Sequence, residues 1–243
     1  MLPVTLCLDF GNSRLKTAIF YGDKLIDKVV FEKEHAVASL EKLIQFHNPT
    51  RSILSSVIHH SIEIEALLKQ HTDFHLLDLN SKLPFLNAYG SPETLGHDRL
   101  ALVAGLSKFY PRQDSLAISV GTCITYNFLA SNNAFRGGAI SPGIQMRFRS
   151  MNEFTSKLPL IEKEGHLSIL GYDTETSIRS GVMNGIAAEI DGMIDMYKQQ
   201  YGNINAVLTG GDGPFFESRL KNKIFADANF LFKGLYAILE NYG

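Results

Sequence analysis

Tryptophan is missing from the 243-residue sequence, cysteine occurs twice, and neither sign of charge is in marked excess. Both cysteines, Cys7 and Cys123, fall in segments that we predict to be buried strands. We therefore interpret them as small core residues in a reducing compartment rather than as a disulfide. The net charge of −2, without a basic stripe, argues against nucleic acid as a partner.

Long hydrophobic runs are also lacking, because the longest apolar stretches have only the length of a strand, which predicts no transmembrane helix and no membrane partner. The chain begins without a basic segment and enters an apolar strand directly, so we expect no secretory signal. The eight histidines form no HExxH pattern and no Cys/His array with zinc-site spacing. We expect a cytoplasmic globular protein without a metal site built from its own side chains alone.

The order of the apolar segments predicts an α/β protein made of two similar halves, residues 1–112 and 113–243. Each half opens with an apolar strand, a glycine turn and two further strands, which is the best sign of a duplication. The predicted strands are 4–8, 15–21, 24–31, 52–58, 74–79, 116–120, 124–130, 134–140 and 205–208. The predicted helices are 34–47, 62–69, 98–110 and 174–201, with amphipathic segments at 215–220 and 232–239.

The two glycine turns are the most informative motifs. The first runs from Asp9 to Ser13 with Lys16 just beyond it, and the second runs from Ser119 to Thr125. Glycine lets the backbone approach an anion closely, and the neighbouring hydroxyl and amide groups can donate hydrogen bonds to it. Neither turn matches the Walker loop or the dinucleotide-binding fingerprint. We interpret the pair as a clamp on a polyphosphate, although Asp9 alone could simply cap its own turn.

A second constellation, Gly96-His97-Asp98-Arg99, joins an irregular loop to a predicted helix. In one interpretation, Asp98 is the N-cap or a first-turn acid and Arg99 is a surface residue. In the other, Asp98 accepts the proton of an attacking hydroxyl and Arg99 binds an anionic substrate group. The sequence leaves both interpretations open, and His97 has no separate role in either.

Two further glycine segments and one long helix complete the set of unusual features. Residues 137–143 and the pair Gly210-Gly211 can close over a ligand or simply turn the chain. In the helix 174–201, each interior glycine costs about 1 kcal/mol relative to alanine, so we expect close packing to compensate. The affected glycines are Gly181, Gly185 and Gly192.

In this order the motifs resemble those of type III pantothenate kinases, which belong to the acetate and sugar kinase, chaperone and actin superfamily. The resemblance covers essentially the whole chain. It rests on Asp9 to Ser13, on Gly96 to Arg99 with Tyr89 upstream, on Gly121 to Thr125, on the Gly-Gly-x-Ile-x-Pro-Gly segment at 137–143, and on Thr174 with Ser180-Gly181. It implies an α/β fold of two duplicated actin-like (ribonuclease H-like) halves, each with a mixed β-sheet flanked by helices.

The resemblance also implies a reaction, in which the γ-phosphate of ATP is transferred to the primary hydroxyl of pantothenate. Asp98 would be the general base and Asp9 would orient Mg²⁺-bound water. The residues implied for ATP are Asp9, Phe10, Gly11, Asn12, Ser13, Arg14, Leu15, Lys16 and Thr122. Those implied for pantothenate are Tyr89, Gly96, His97, Asp98, Arg99 and Thr174. The family works as a homodimer, which would place Thr174 at the interface and make the long helix a dimer surface, unless the helix is buried within one chain.

The chain departs from the family pattern at two positions. Ser119 stands where an aspartate usually binds an activating monovalent cation, and Asn127 stands where another aspartate usually closes the motif. A serine is a neutral ligand with a single oxygen, so we expect weak or absent dependence on potassium or ammonium. Two other functions stay open: a sugar or small-acid kinase of the same superfamily, and a non-catalytic nucleotide-binding factor.

Overall fold

The computed structural model describes residues 2–12 and 14–242, so the predicted role of Ser13 lies outside the described residues. The chain divides into two units. The first unit contains residues 1–111, 133–136 and 229–243, and the second contains residues 112–132 and 137–228. The predicted contiguous halves, 1–112 and 113–243, stay a prediction.

Strands and helices alternate along most of the described chain. The strands are β1 (Val4–Phe10), β2 (Leu15–Tyr21), β3 (Lys24–Phe31), β4 (Arg51–Ser56), β5 (Asp73–Leu76), β6 (Leu86–Asn87), β7 (Ser115–Val120), β8 (Cys123–Leu129), β9 (Ala134–Pro142), β10 (Asn205–Thr209) and β11 (Phe225–Ala226). The α-helices are α1 (Ala36–His47), α2 (Ile62–His71), α3 (His97–Phe109), α4 (Ile144–Glu153), α5 (Thr174–Tyr201), α6 (Gly213–Glu217) and α7 (Phe230–Glu240).

The same strand order occurs in both units. In the first unit the order is β3-β2-β1-β4-β5, with an antiparallel meander from β1 to β3 and parallel pairing of β1 with β4 and β4 with β5. In the second unit the corresponding order is β9-β8-β7-β10-β11, again with an antiparallel hairpin followed by parallel strands. The prediction of duplicated halves with mixed sheets flanked by helices is therefore confirmed.

Strand β1 explains how the first sheet positions polar groups. Its side chains alternate between two faces, and Leu6, Leu8 and Phe10 pack with residues of α1 and α2 in one core cluster. Cys7 and Asp9 consequently point to the opposite face. On strands β1 and β4, contacts with α3 and α7 cover the sheet, so Asp9 emerges at the end of a buried central strand.

Helix α3 is buried over most of its length. Its residues from Arg99 to Leu106 are all buried, because α3 packs against both β4 and α7. The crossing with α7 is close: a Cβ on Gly234 would lie 1.8 Å from the Ala101 carbonyl oxygen. The helix that carries Asp98 is therefore held on more than one side, which fixes its first turn.

Sequence periodicity missed α4 and misplaced some element ends. Only Ile144 and Phe148 are buried in α4, and one apolar pair is too short a pattern to predict a helix. Strand β4 ends before the predicted residue 58 because the Ser56 hydroxyl donates to the Ile58 carbonyl (2.9 Å) and turns the chain. Strand β5 likewise ends before the predicted residue 79. The predicted segment 215–220 is reduced to the five residues of α6.

Helix α5 supplies much of the core of the second unit. Ile178, Val182, Ile186, Ile190 and Ile194 all belong to that core cluster, so the apolar stripe is buried within the chain. The three glycines are not closely packed: a Cβ on any of them would meet no atom within 4 Å among the described residues. The expected compensation by close packing is therefore not found among the described residues of this chain, and it stays a prediction for a contact with a second chain.

Within the described residues, no helix is both long enough and apolar enough to cross a membrane.

Candidate functional site

The first glycine turn joins β1 to β2. The Gly11 N–H donates to the Arg14 carbonyl (3.1 Å) and closes the turn. A Cβ on Gly11 would meet only that carbonyl, at an ordinary 3.6 Å, so neither packing nor a positive φ requires glycine here. The absence of a side chain leaves free space over the turn, as a site for an anion needs.

The residues predicted for ATP around this turn do not all expose their side chains. Phe10 and Leu15 are buried in the core of the first unit, so only their backbone is left for a ligand. Asn12 and Arg14 are exposed. Lys16 is half-buried and lies directly opposite Asp9 in the register of β1 and β2.

The carboxyl group of Asp9 has a raised pKa. Burial raises its pKa to about 6, the charge of Lys16 opposes this rise, and the charge of Asp98 adds to it. Asp9 and Asp98 are thus close enough to interact electrostatically, which brings the two predicted acids of the site together. An acid with this pKa is mostly ionised at neutral pH and releases its proton at little cost to a cation.

Ser55 on β4 is a neighbour that the motifs did not indicate. It lies opposite Asp9 in the parallel pairing of β1 with β4. Its hydroxyl oxygen is buried and has no hydrogen-bond partner among the described residues. A serine inside an apolar strand gives no sequence signal of its own. The Ser55 hydroxyl and the Asp9 carboxylate together offer oxygen ligands, which Mg²⁺ prefers.

Among residues 2–12 and 14–242, no cluster of three or more His, Cys, Asp or Glu side chains could hold a metal ion. Magnesium is commonly bound by one or two carboxylates together with substrate phosphates. The residues around Asp9 therefore fit a magnesium ion that arrives with a nucleotide.

Asp98 lies in the first turn of α3, whose N-cap is Gly96. It is therefore a first-turn acid and not the N-cap. Burial raises the pKa of Asp98, whereas hydrogen bonds from the backbone N–H of Arg99 and the charges of Arg99 and His97 lower it; the net effect is a raised pKa. A Cβ on Gly96 would lie 2.5 Å from Asp98 Oδ1, so the glycine leaves room for this carboxylate.

Arg99 is buried, with only 5% of its surface exposed. Its guanidinium carbon lies 5.4 Å from the centre of the Tyr89 ring and 5.7 Å from that of Phe135. The two rings are themselves nearly parallel, 5.9 Å apart. The aromatic faces hold the guanidinium by cation–π attraction. The interpretation of Arg99 as a surface residue is wrong, and Phe135 is a supporting residue that the motifs missed.

The second glycine turn, between β7 and β8, is also closed by the N–H of its glycine, but it is shorter than the first. The Gly121 N–H donates to the Cys123 carbonyl (3.0 Å), and Thr122 at the tip is exposed. On the face of the sheet opposite the core, Ser119 pairs with Thr125. The Asn127 amide donates to the Ala117 carbonyl (3.2 Å) and to Thr125 Oγ1 (3.1 Å).

The glycines at 143 and 210 both pack against this second turn. A Cβ on Gly143 would lie 2.0 Å from the Gly121 carbonyl oxygen, and one on Gly210 would lie 2.3 Å from the Val120 carbonyl oxygen. The Gly143 N–H also donates to the Thr122 carbonyl (3.0 Å). Both glycine segments therefore support the turn that carries Thr122.

Thr174 is the first residue of α5 and is exposed. The helix start is fixed by a capping box in which the Asp173 carboxylate accepts from the Thr176 N–H (2.8 Å). Thr174 and Thr122 belong to the second unit, and Asp9, Lys16, Tyr89, Asp98 and Arg99 belong to the first.

Residues 5–196 match the model of the family described as type III pantothenate kinase. The chain is 42% identical over 238 residues to a type III pantothenate kinase of Christiangramia forsetii, an alignment that covers 98% of each protein.

Among solved structures, the chain is similar to a candidate Baf family transcriptional activator from Campylobacter jejuni, with a TM-score of 0.61 and 21% identity over 98% of both chains. It is also similar to a candidate N-acetylmannosamine kinase from Listeria monocytogenes, with a TM-score of 0.55 and 12% identity over 99% of this chain and 100% of that one. At these identities the likeness shows the fold alone, and it agrees with the predicted actin-like class.

Proposed function

Because the chain belongs to the type III pantothenate kinase family, we propose that it transfers the γ-phosphate of ATP to the primary hydroxyl of pantothenate. The product is 4'-phosphopantothenate, and the reaction is the first step of coenzyme A biosynthesis. The observation that carries this proposal is the pair of residues at the start of α3, a half-buried acid with a raised pKa followed by a buried arginine that lies against two aromatic rings. A protein that only binds nucleotide has no need for such a base.

Asp98 is the general base in this proposal. Its raised pKa makes its carboxylate a stronger base than that of an exposed aspartate. The carboxylate takes the proton of the pantothenate hydroxyl as the oxygen attacks the γ-phosphorus. Its position depends on the fixed first turn of α3 and on the space that Gly96 leaves beside it.

Asp9 and Lys16 help to neutralise the negative charge of the nucleotide, Asp9 through magnesium and Lys16 directly. Magnesium, when bound with ATP, neutralises phosphate charge. The carboxylate of Asp9 would hold the ion, and the Ser55 hydroxyl would be a further oxygen donor beside it. The ammonium group of Lys16 provides positive charge for the phosphates, and Thr122 provides a hydroxyl.

Arg99 and Tyr89 recognise pantothenate. The guanidinium lies against two aromatic rings that stack on each other, and these contacts restrict its motion and so lower the entropic cost of binding a carboxylate. Arginine binds carboxylates with paired hydrogen bonds, so Arg99 is suited to the anionic end of the substrate.

Replacing potassium by sodium is expected to change the rate by less than about twofold, since the neutral Ser119 is a poor cation ligand. The oxygens of Ala117 and Thr125 already accept hydrogen bonds from the Asn127 amide. The test is the initial rate in sodium, potassium and ammonium chloride at constant ionic strength. Ser119→Asp combined with Asn127→Asp should gain potassium dependence. Activity that vanishes in sodium and returns only with potassium or ammonium would contradict the prediction.

A homodimer is the proposed assembly, with the long helix α5 at the interface. Thr174, Gly181, Gly185 and Gly192 follow one another at intervals of seven, four and seven residues, so they share one side of the helix. That side is open within the described chain at all three glycines. The segment before α5 is rich in apolar residues that are at least 51% exposed, namely Phe154, Leu160, Ile169, Leu170 and Tyr172. Such exposure is typical of a surface that a partner covers.

Gly185→Glu is expected to convert the dimer to a monomer, because a charged side chain cannot be buried unpaired in a helix contact. Gly185→Ala is the matched control. It should stay dimeric and gain about 0.5–1 kcal/mol of helix stability. The measurement is the molar mass by light scattering during gel filtration. A Gly185→Glu variant that keeps the mass of the wild type would exclude this face as the interface.

The proposed acceptor is tested by measuring ADP release with pantothenate, hexoses, N-acetylhexosamines and short hydroxy acids at equal concentration. Pantothenate alone should support turnover. Turnover with a sugar and none with pantothenate would favour a sugar kinase of the same superfamily. ATP binding without turnover on any acceptor would favour a nucleotide-binding factor. The expected cytoplasmic location stays a prediction.

A further inference from the structure

Glu189 on α5 is the centre of a polar cluster that the proposed reaction does not use. Its carboxylate accepts hydrogen bonds from Tyr126 Oη (3.0 Å), from Ser141 Oγ (2.5 Å) and from Arg147 Nη2. Burial alone would raise the pKa of Glu189, but the hydrogen bonds from Ser141, Arg147 and Tyr126 outweigh it and leave the pKa lowered. The carboxylate is therefore ionised at neutral pH and holds three donors from three different elements.

Two of these donors belong to the segment that reaches the second glycine turn. Ser141 lies near the end of β9, and Arg147 is in α4. Arg147 Nε also donates to the Pro142 carbonyl (2.8 Å). Glu189 thus fixes residues 141–143 from one side, directly through Ser141 and indirectly through the second bond of Arg147.

The other side of this segment holds the tip of the turn. The Gly143 N–H donates to the Thr122 carbonyl (3.0 Å), and Gly143 lies too close to the Gly121 carbonyl for any side chain. A continuous set of contacts therefore leads from the Glu189 carboxylate through the 141–143 segment to Thr122. Glu189 does not itself need to touch a ligand to influence the turn.

On the basis of the proposed ATP-binding role of Thr122, we propose that Glu189 is a positioning residue that holds the second glycine turn in the conformation that binds the phosphates of ATP. Hydrogen bonds to charged groups contribute more than neutral ones, so the charge of Glu189 matters as well as its shape. The neutral variant Glu189→Gln should loosen the segment and the turn together.

Asp191 provides a matched control on the same helix. Its carboxylate also accepts hydrogen bonds, from the backbone N–H groups of Lys221 (2.9 Å) and Asn222 (2.9 Å), and it is buried, whereas Glu189 is half-buried. These contacts lead away from the second turn. Asp191→Asn should therefore lower the melting temperature and leave nucleotide affinity unchanged, whereas Glu189→Gln should change nucleotide affinity.

The test is the dissociation constant of Mg-ATP, measured by calorimetry on the full chain without pantothenate, together with the melting temperature. Glu189→Gln should raise the dissociation constant about fivefold to tenfold, and Asp191→Asn should leave it within about twofold. In the kinase assay, KM for ATP should rise and KM for pantothenate should not. An unchanged dissociation constant for Glu189→Gln overturns the inference, as does an equal rise in both variants.

If Glu189→Gln does not fold, Ser141→Ala decides the question, because it removes one donor and leaves the ion pair with Arg147. A rise of about threefold in the dissociation constant supports the inference, and no rise overturns it. If the wild-type protein binds Mg-ATP but does not phosphorylate pantothenate, only the proposed reaction is refuted. The role of Glu189 is still decided by the ratio of the Mg-ATP dissociation constant of each variant to that of the wild type. Absence of ATP binding in the wild type overturns both.

Discussion

Asp98→Asn is expected to lower kcat by about 10²–10⁴-fold, the range typical of losing a general base. The asparagine amide has nearly the same shape as the carboxylate and fits the same space beside Gly96, but it cannot accept the hydroxyl proton. Affinity for ATP should stay within about twofold, because the change removes an interaction made in the transition state. The measurement is kcat from ADP release, with the nucleotide dissociation constant measured in parallel.

Glu93→Gln is the control for this variant. Glu93 lies in a short 3-10 turn shortly before α3 and is exposed, so its loss of charge should leave kcat unchanged. Asp98→Asn with the kcat of the wild type would show that Asp98 serves only as a first-turn acid of α3. Loss of both kcat and ATP affinity would instead indicate that the variant disturbs the site as a whole.

Asp9→Asn is expected to abolish most kinase activity and, at the same time, to stabilise the protein at neutral pH. Burial raises the pKa of Asp9 from its ordinary value of 3.8 to about 6, so folding disfavours its charged form. The linkage between ionisation and folding converts this shift into about 2–3 kcal/mol of stability gained on removing the charge. The test is chemical denaturation without nucleotide or divalent cation.

The gain in unfolding free energy caused by Asp9→Asn should depend on pH. The folded pKa of Asp9 lies above the unfolded value, so its favourable contribution is complete below about pH 4 and is lost as the pH rises through about 6. The stability gained by Asp9→Asn should therefore be near zero at pH 4 and reach its full value above pH 7. Asp23→Asn, at an exposed position in the first unit, is the control and should change the free energy of unfolding by less than about 0.5 kcal/mol. A destabilised Asp9→Asn at pH 8 would contradict the account.

Local patterns predicted the architecture well. Strand periods and the repeated glycine turns were enough to predict two similar α/β halves, because strand alternation and turn residues are local properties. The mixed sheets were implied by the family resemblance. The Gly-x-Asp-Arg pattern placed Asp98 at the start of a helix, which is where it lies, and the role of Asp98 as a base stays a prediction. The family resemblance then assigned a reaction to these positions.

Other features depend on contacts that no local pattern contains. Phe135 reaches Arg99 because β9 is adjacent to β6 in space, and its sequence neighbours give no indication of this. Ser55 becomes a neighbour of Asp9 only through the register of β4 against β1. Helix α3 is buried on all sides because α7, from the end of the chain, covers it. Each of these requires tertiary structure.

Glycine occurs in this chain for different structural reasons, and the glycines of α5 differ from those elsewhere. Gly234 and Gly143 are required because backbone atoms approach them closely. Gly181, Gly185 and Gly192 have open space beside them in the described chain. Their cost to the helix is not balanced by packing within one chain, and the proposed homodimer supplies the missing contact.

The most direct test of the central claim is the transfer of a radiolabelled γ-phosphate from ATP to pantothenate. The purified protein with Mg-ATP and pantothenate should form labelled 4'-phosphopantothenate, and Asp98→Asn should form it at a rate lower by about 10²–10⁴-fold. The account would be contradicted if no labelled 4'-phosphopantothenate formed although the wild type bound ATP, or if Asp98→Asn produced it at the rate of the wild type.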